Sequence, residues 1–205
     1  MWSAQVDSLK NQWRVIVPDF RGFGKSEVGD GHYAIDFFVD DLFALLDAPE
    51  LGVSGTPLVA CGLSMGGYVL LRAVEREPAR FRALVLADTK SGGDNDEGRL
   101  KRLGAVRKLR KEGAAAYAEG FVDGALGKTT KAGRPEVVKA VKAMTAAQPV
   151  AAMIGAQLAM ASRTDTTAAL AKIWVPTLVV VGEEDGLTPP SPPRRWRPPS
   201  RGLGW

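Results

Sequence analysis

The chain has 205 residues, of which 45% are hydrophobic and 24% charged, ordinary globular usage at a length that can bury one core. This composition excludes a collagen, a disulfide scaffold and a wholly disordered chain, and no run of about 18 apolar residues is present to cross a membrane. The net charge of +4 resides in Arg194, Arg195, Arg197 and Arg201 of the last fifteen residues, so residues 1–190 are neutral and give no reason to expect nucleic acid as a partner. Cys61 is the only cysteine, which precludes an internal disulfide, and the N-terminal MWSAQVDSLKNQW lacks a secretory pattern, so a cytoplasmic location is expected.

In chain order, the first predicted element is a strand at 14–18, Arg-Val-Ile-Val-Pro. A helix follows, with Ile35, Phe38, Val39, Leu42, Leu45 and Leu46 on one face and Asp36, Asp40 and Asp41 on the other. A second strand is expected at 57–62, a helix over 65–76 with Val69, Leu70, Ala73 and Val74 turned inward, and a third strand at 83–88. From 92 to 172 the chain is rich in Ala, Lys, Arg and Glu, with helical patterns near 97–112, 114–126, 135–147 and 150–162 and no strand candidate. A fourth strand is expected at 176–182. All four strand candidates are apolar at successive positions, as strands covered on both faces are. Strands alternating with helices predict an α/β fold with a mostly parallel sheet flanked by helices. The division is a core of 1–91 and 173–190, a helical lid of 92–172 inserted between the third and fourth strands, and a tail of 191–205. That tail is rich in arginine and proline and is expected to be disordered.

The stretch Gly62-Leu63-Ser64-Met65-Gly66 lies directly after a predicted strand and directly before a predicted helix. A sharp strand-to-helix bend would leave the Ser64 hydroxyl standing clear of the sheet, with small residues two positions before and after avoiding a clash. The helix start favours developing negative charge, and the Met65 N–H can point at an oxyanion.

With this motif the chain resembles the α/β-hydrolase family over roughly residues 2–190. Two further signatures carry the resemblance: Pro18-Asp-Phe-Arg-Gly-Phe-Gly-Lys-Ser26, similar to the loop after the family's fourth strand, and Gly182-Glu-Glu-Asp-Gly-Leu-Thr-Pro189, similar to the turn bearing the triad acid. The wording is nearest to the enol-lactonase-like branch. The resemblance implies hydrolysis of a small ester or lactone without a cofactor. Ser64 would be the nucleophile, Asp185 the acid that orients a histidine, and the Met65 backbone N–H one oxyanion donor. Asp88 and the acids of Asp94-Asn-Asp96 are alternatives. Asp185 is favoured because its motif matches more fully, and Asp88 reads as a strand-end cap.

Such chemistry needs an imidazole to take the serine proton. The family's histidine follows its last strand, and no residue after Pro190 resembles that region, which points to a truncated or frameshifted chain; an intact frame at the locus would dispose of that expectation. The family's first strands, with a loop supplying the second oxyanion donor, have no counterpart before residue 2 either. His32 is the only histidine. It reads as a solvated loop residue, with a surrogate base as the alternative, and the expected result is a hydrolase with little turnover or a small-molecule binding protein using the same pocket.

Three features read as bland. Gly24-Lys25-Ser26 mimics a phosphate-binding loop, but Asp19 stands where that loop needs glycine. The basic residues Lys101, Arg102, Arg107, Lys108, Arg110 and Lys111 read as a solvated face. Cys61, in an apolar strand, reads as an inert buried thiol.

Overall fold

A computed structural model describes residues 1–188. Helices α1 (Ser3–Leu9) and α2 (Ile35–Asp47) precede strand β1 (Leu58–Leu63), which runs straight into α3 (Met65–Arg76). Strand β2 (Phe81–Ala87) follows, then helices α4 (Asp96–Ala125), α5 (Lys128–Gly133), α6 (Pro135–Ala146) and α7 (Val150–Ala161), and last strand β3 (Thr177–Val180). The described strands form one parallel sheet in the order β1-β2-β3, with Cys61 opposite Val85 and Val85 opposite Leu178.

Helix α3 spans the residues its period predicts. Val69, Leu70, Ala73 and Val74 are buried as expected, joined by Tyr68 and Leu71. Helix α2 buries Ile35, Phe38, Val39 and Leu46, but Phe43 is deeper than Leu42 or Leu45. The Phe43 ring is roofed by the guanidinium groups of Arg76 and Arg80, whose carbons lie 5.4 and 4.8 Å from its centroid. Cation–π contact of this kind lets one aromatic ring close the core margin beside charged side chains. These two helices pack with Leu84 of β2 and with Ala159 and Met160 of α7 in the main core.

Three strand expectations need correction. Residues 14–18 form no strand, because they pair with none of the described strands and an extended segment without a ladder is not sheet. Burial on both faces holds only for β2, which has a neighbour on each side and buries Phe81, Leu84 and Leu86. Val59 of β1 is 53% exposed and Leu178 and Val179 of β3 are each 59% exposed. Cys61 is likewise exposed, on outer strand β1, although partial burial still pushes its thiol pKa up and away from reactivity.

The segment between β2 and β3 is helical, as its composition predicts. The sequence break near 113 is a kink in α4: Gly113 has φ 80°, a left-handed conformation that glycine adopts without a side-chain clash. A second cluster forms there from Leu109, Ala114 and Met153, with Phe23 of the 19–26 loop packed against it. Helix α7 contributes Met153 to this cluster and Ala159 and Met160 to the main core, so one helix fastens the helical segment to the sheet core. Among the described residues, no single helix is long and apolar enough to cross a membrane. The expectation of disorder at 191–205 lies outside the described residues.

Where the chain leaves the sheet and returns to it, a buried charge cluster joins the two passes. Asp94 and Arg163 have side chains only 4% and 2% exposed and meet at 2.9 Å. Arg102 reaches Asp94 Oδ2 at 3.0 Å, and the Lys90 ammonium reaches Asp94 Oδ1 at 3.3 Å. Arg163 also donates to the carbonyls of Met160 (2.8 Å) and Gly92 (2.7 Å), with its guanidinium 4.1 Å from the Tyr68 ring centroid. Arg102 therefore departs from the solvated face expected of the basic cluster, and Asp94 serves the fold. Burial raises the Asp94 pKa, but Arg102 and Arg163 outweigh it and hold the carboxyl below its ordinary value.

Removing one partner of a buried pair strands the other charge, so Asp94→Asn is expected to cost about 3–5 kcal/mol in urea unfolding. Because the folded pKa is depressed, this contribution is complete above about pH 4 and is lost as pH falls through the folded value. The acid limb of the stability curve should accordingly be shallower in Asp94→Asn than in the unmodified chain.

Candidate active site

Ser64 stands at the carboxyl end of β1 with φ 50° and ψ −114°. A positive φ at a non-glycine residue costs roughly 1–2 kcal/mol, so its surroundings must impose it. They do so from both sides of the residue. The Ser64 N–H donates to the Ala87 carbonyl at 2.9 Å, which extends the β1–β2 ladder one residue beyond the strand. The Ser64 carbonyl accepts from the Gly67 N–H at 2.9 Å, as α3 begins, and from the Thr89 hydroxyl at 2.9 Å. Met65 is the first residue of α3, and its N–H is one of those a helix start leaves without an acceptor inside the helix.

The tightness of the bend falls on one of the two glycines the sequence singles out, Gly62, and on Gly67 in place of Gly66. A Cβ on Gly62 would lie 2.5 Å from the Gly66 carbonyl oxygen and 2.8 Å from the Gly67 Cα, both backbone atoms. A Cβ on Gly67 would collide with the Thr89 side chain, whereas one on Gly66 would meet nothing within 4 Å. The expected pair, two before and two after the serine, is Gly62 and Gly66, whereas the crowded pair is Gly62 and Gly67, three after it. Thr89 is invisible to motif reading because its role depends on a neighbouring strand; its only sequence signal is its place just after a predicted strand.

Asp185 lies on the turn after β3, on the same carboxyl edge of the sheet. Its Oδ1 accepts from the N–H groups of Leu187 (2.8 Å) and Thr188 (2.9 Å), and the Thr188 hydroxyl donates to Oδ2. Burial raises its pKa; the Thr188 and Leu187 hydrogen bonds outweigh that and hold the carboxyl below its ordinary value, so it is ionised at neutral pH. Asp88, the alternative acid, has φ 43° and converges on the same turn: its N–H donates to the Val180 carbonyl and its Oδ1 accepts from the Gly182 N–H at 2.8 Å. Asp88 thus caps both strand ends. Only β2 separates β1 from β3, which at about 4.8 Å per strand step puts the two outer strands roughly 10 Å apart.

Glu184, which the sequence reading passes over, fixes that turn to the helices. Its carboxylate accepts from the Thr129 N–H and hydroxyl, each at 2.9 Å, and these bonds hold its pKa below the ordinary value. His32 is apart from this arrangement. Its side chain is 74% exposed, Nδ1 lies 3.2 Å from Asp30 Oδ2, and its carbonyl accepts from Arg21. Among the described residues no hydrogen bond joins it to Ser64 or Asp185. The 19–26 loop is closed on itself by the Lys25 N–H and Ser26 hydroxyl donating to Asp19, which leaves no phosphate cradle there. No cluster of three or more metal-ligating side chains occurs among the described residues.

Substituting Gly62 by Ala should destabilise the fold by about 1–3 kcal/mol, since backbone must shift to admit the methyl. Gly66→Ala should leave stability unchanged or raise it by up to about 1 kcal/mol, a helical glycine having been replaced in open space. Thermal melts of the two variants check both outcomes.

Known proteins resemble this chain in sequence and fold. The serine aminopeptidase S33 family matches residues 6–196. The 3-oxoadipate enol-lactonase 1 of Acinetobacter baylyi is 30% identical over 190 residues, which cover 92% of this chain and 67% of that protein. A thermophilic esterase from Thermogutta terrifontis superimposes with a TM-score of 0.86 at 36% identity, covering 92% of this chain and 68% of that one. The enol-lactonase from Burkholderia xenovorans gives a TM-score of 0.76 at 26% identity, covering 87% and 65%. This chain is therefore shorter than its relatives, spanning about two thirds of each. With a parallel sheet, a strained serine at its carboxyl edge and this kinship, the chain belongs to the α/β-hydrolase family, among the ester and lactone hydrolases.

Proposed function

We propose that this chain is a serine hydrolase for a small ester or lactone whose turnover is impaired by the lack of a triad histidine. The observation that carries the reading is the strained bend that presents Ser64 on the same sheet edge as the ionised Asp185. In the proposed reaction Ser64 Oγ attacks the acyl carbon, and the Met65 N–H takes part of the charge that develops on the carbonyl oxygen. The bond to the leaving oxygen then breaks, giving an acyl-enzyme that water hydrolyses. Residues 92–172 act as the lid over the 1–91 and 173–190 core, and their side chains set the substrate.

The weak step is the first. The hydroxyl proton must pass to a base, and the chain has one histidine, which is solvated and paired with Asp30. Without an imidazole between Ser64 and Asp185 the proton goes to water, and loss of the triad base costs on the order of 10⁴–10⁶ in turnover.

Hydrolysis of p-nitrophenyl acetate by the purified chain should therefore be slow and should fall further in Ser64→Ala. Adding free imidazole should accelerate the unmodified chain more than Ser64→Ala, because the added base stands in for the missing one. His32→Ala should leave the slow rate unchanged. Rapid labelling of Ser64 by a fluorophosphonate, or a fast rate that His32→Ala abolishes, would refute the impairment.

A further inference from the structure

Where the helical segment leaves the core and returns to it, the chain encloses a cavity of about 10 Å³. It is lined by Tyr68 and Arg72 of α3, by Lys90 and Ser91 on the way out, and by Arg163 and Thr164 on the way back. No carboxylate lines it among the described residues. Arg163 is the most deeply buried of these, with a side chain 2% exposed. Its terminal nitrogens donate to Asp94 and to the carbonyls of Met160 and Gly92. Its Nε–H has no hydrogen-bond partner among the described residues. A buried donor left unmet is costly. Positive charge is also in surplus here. Asp94 is shared by Lys90 at 3.3 Å, Arg102 at 3.0 Å and Arg163 at 2.9 Å. Asp165, close enough to feel the Arg163 charge, is the other local carboxylate, so three cations meet two anions. Arg72 is balanced separately by Asp36 at 2.9 Å and Glu75 at 2.7 Å. Asp96 and Glu97, the next acids along α4, are taken by Arg99 and Lys101.

We infer that this cavity binds a single halide-sized anion, chloride in ordinary salt. The Arg163 Nε–H and the Lys90 ammonium donate to it, and the Thr164 hydroxyl completes the set. Size and charge together choose the ligand. About 10 Å³ is room for one water-sized particle, which excludes phosphate, sulfate and carboxylates. A water molecule would satisfy the Nε–H but leave the surplus charge beside a buried guanidinium, where poor screening makes it costly. A monoatomic anion meets both needs. Seated there, it ties α3 to both ends of the helical excursion. Ser64, Met65 and Asp185 take no part in that tie, so the inference is independent of the proposed acyl chemistry.

Thermal melts of the purified chain at fixed ionic strength, with chloride replacing gluconate stepwise, test it without reference to turnover. The melting temperature should rise along a saturating curve, gaining about 3–6 °C at roughly ten times the dissociation constant. Bromide should substitute for chloride, whereas acetate, too large for the cavity, should behave as gluconate. Lys90→Gln alters a side chain that is 48% exposed, so the fold should tolerate it. Its curve should shift to about 10-fold higher chloride, one charge-assisted donor having been lost. Anomalous scattering from a bromide-soaked crystal should place the ion between Lys90 and Arg163. Identical melting in chloride and gluconate, as a water in the cavity would give, would overturn the inference. So would a rise without saturation, an equal response to acetate, an unchanged curve in Lys90→Gln, or bromide bound only elsewhere. The anion series needs no variant to fold.

Discussion

Two hydrogen bonds that carry the sheet ladder past its strand ends hold the candidate site together. The Ser64 N–H reaches the Ala87 carbonyl and the Asp88 N–H reaches the Val180 carbonyl, each at 2.9 Å. In a parallel sheet the ladder is evenly spaced, so continuing it by one residue fixes where the next residue must sit. That constraint places Ser64 and Asp88 in positive-φ conformations that neither residue type prefers. Each supporting hydrogen bond is worth only about 1 kcal/mol net, comparable to the conformational penalty, so the bend persists because several bonds act on one residue. Strand β2 is central to this: it gives one neighbour its Ala87 carbonyl and takes the other's Val180 carbonyl.

The long helical excursion does not disturb that register because its ends are tied where they leave and re-enter. The Thr166 N–H donates to the Ser91 carbonyl at 3.0 Å, and Arg163 binds both Asp94 and the Gly92 carbonyl. Once such ends are pinned, the entropy of closing a longer loop grows only slowly with its length, so the residues between are free to vary in composition. Glu184 adds a tie at the far side, joining the turn that bears Asp185 to the start of α5. Adjacent carboxylates of this turn thus divide the work: Glu184 anchors the helices, and Asp185 is held by the Leu187 and Thr188 N–H groups.

Much of this was legible in the residue order because it depends on local rules. The 3.6-residue period of α3, the glycine-flanked serine between strand and helix, and the break in the helical pattern at Gly113 need no knowledge of distant neighbours. What escaped depends on contacts across the fold. Residues 14–18 have the composition of a strand but no described partner, and composition cannot supply one. The crowding at Gly67 comes from Thr89, twenty-two positions away and just past the end of β2. The burial of Asp94 depends on Arg163 returning beside it after the whole helical segment, and Arg102 turns in to meet the same carboxylate. Cys61 and Val59 are read as interior from their apolar neighbours, but an outer strand leaves them open.

The outward flanks of β1 and β3 are open along both backbone and side chains among the described residues. Each outer strand of the described sheet has one row of N–H and C=O groups with no ladder partner, and Val59, Leu178 and Val179 add uncovered apolar surface beside those rows. Unpaired backbone next to β-branched side chains is the arrangement that recruits a foreign strand. The rigidity that serves the serine bend and the openness of these flanks come from the same three short strands of the described sheet.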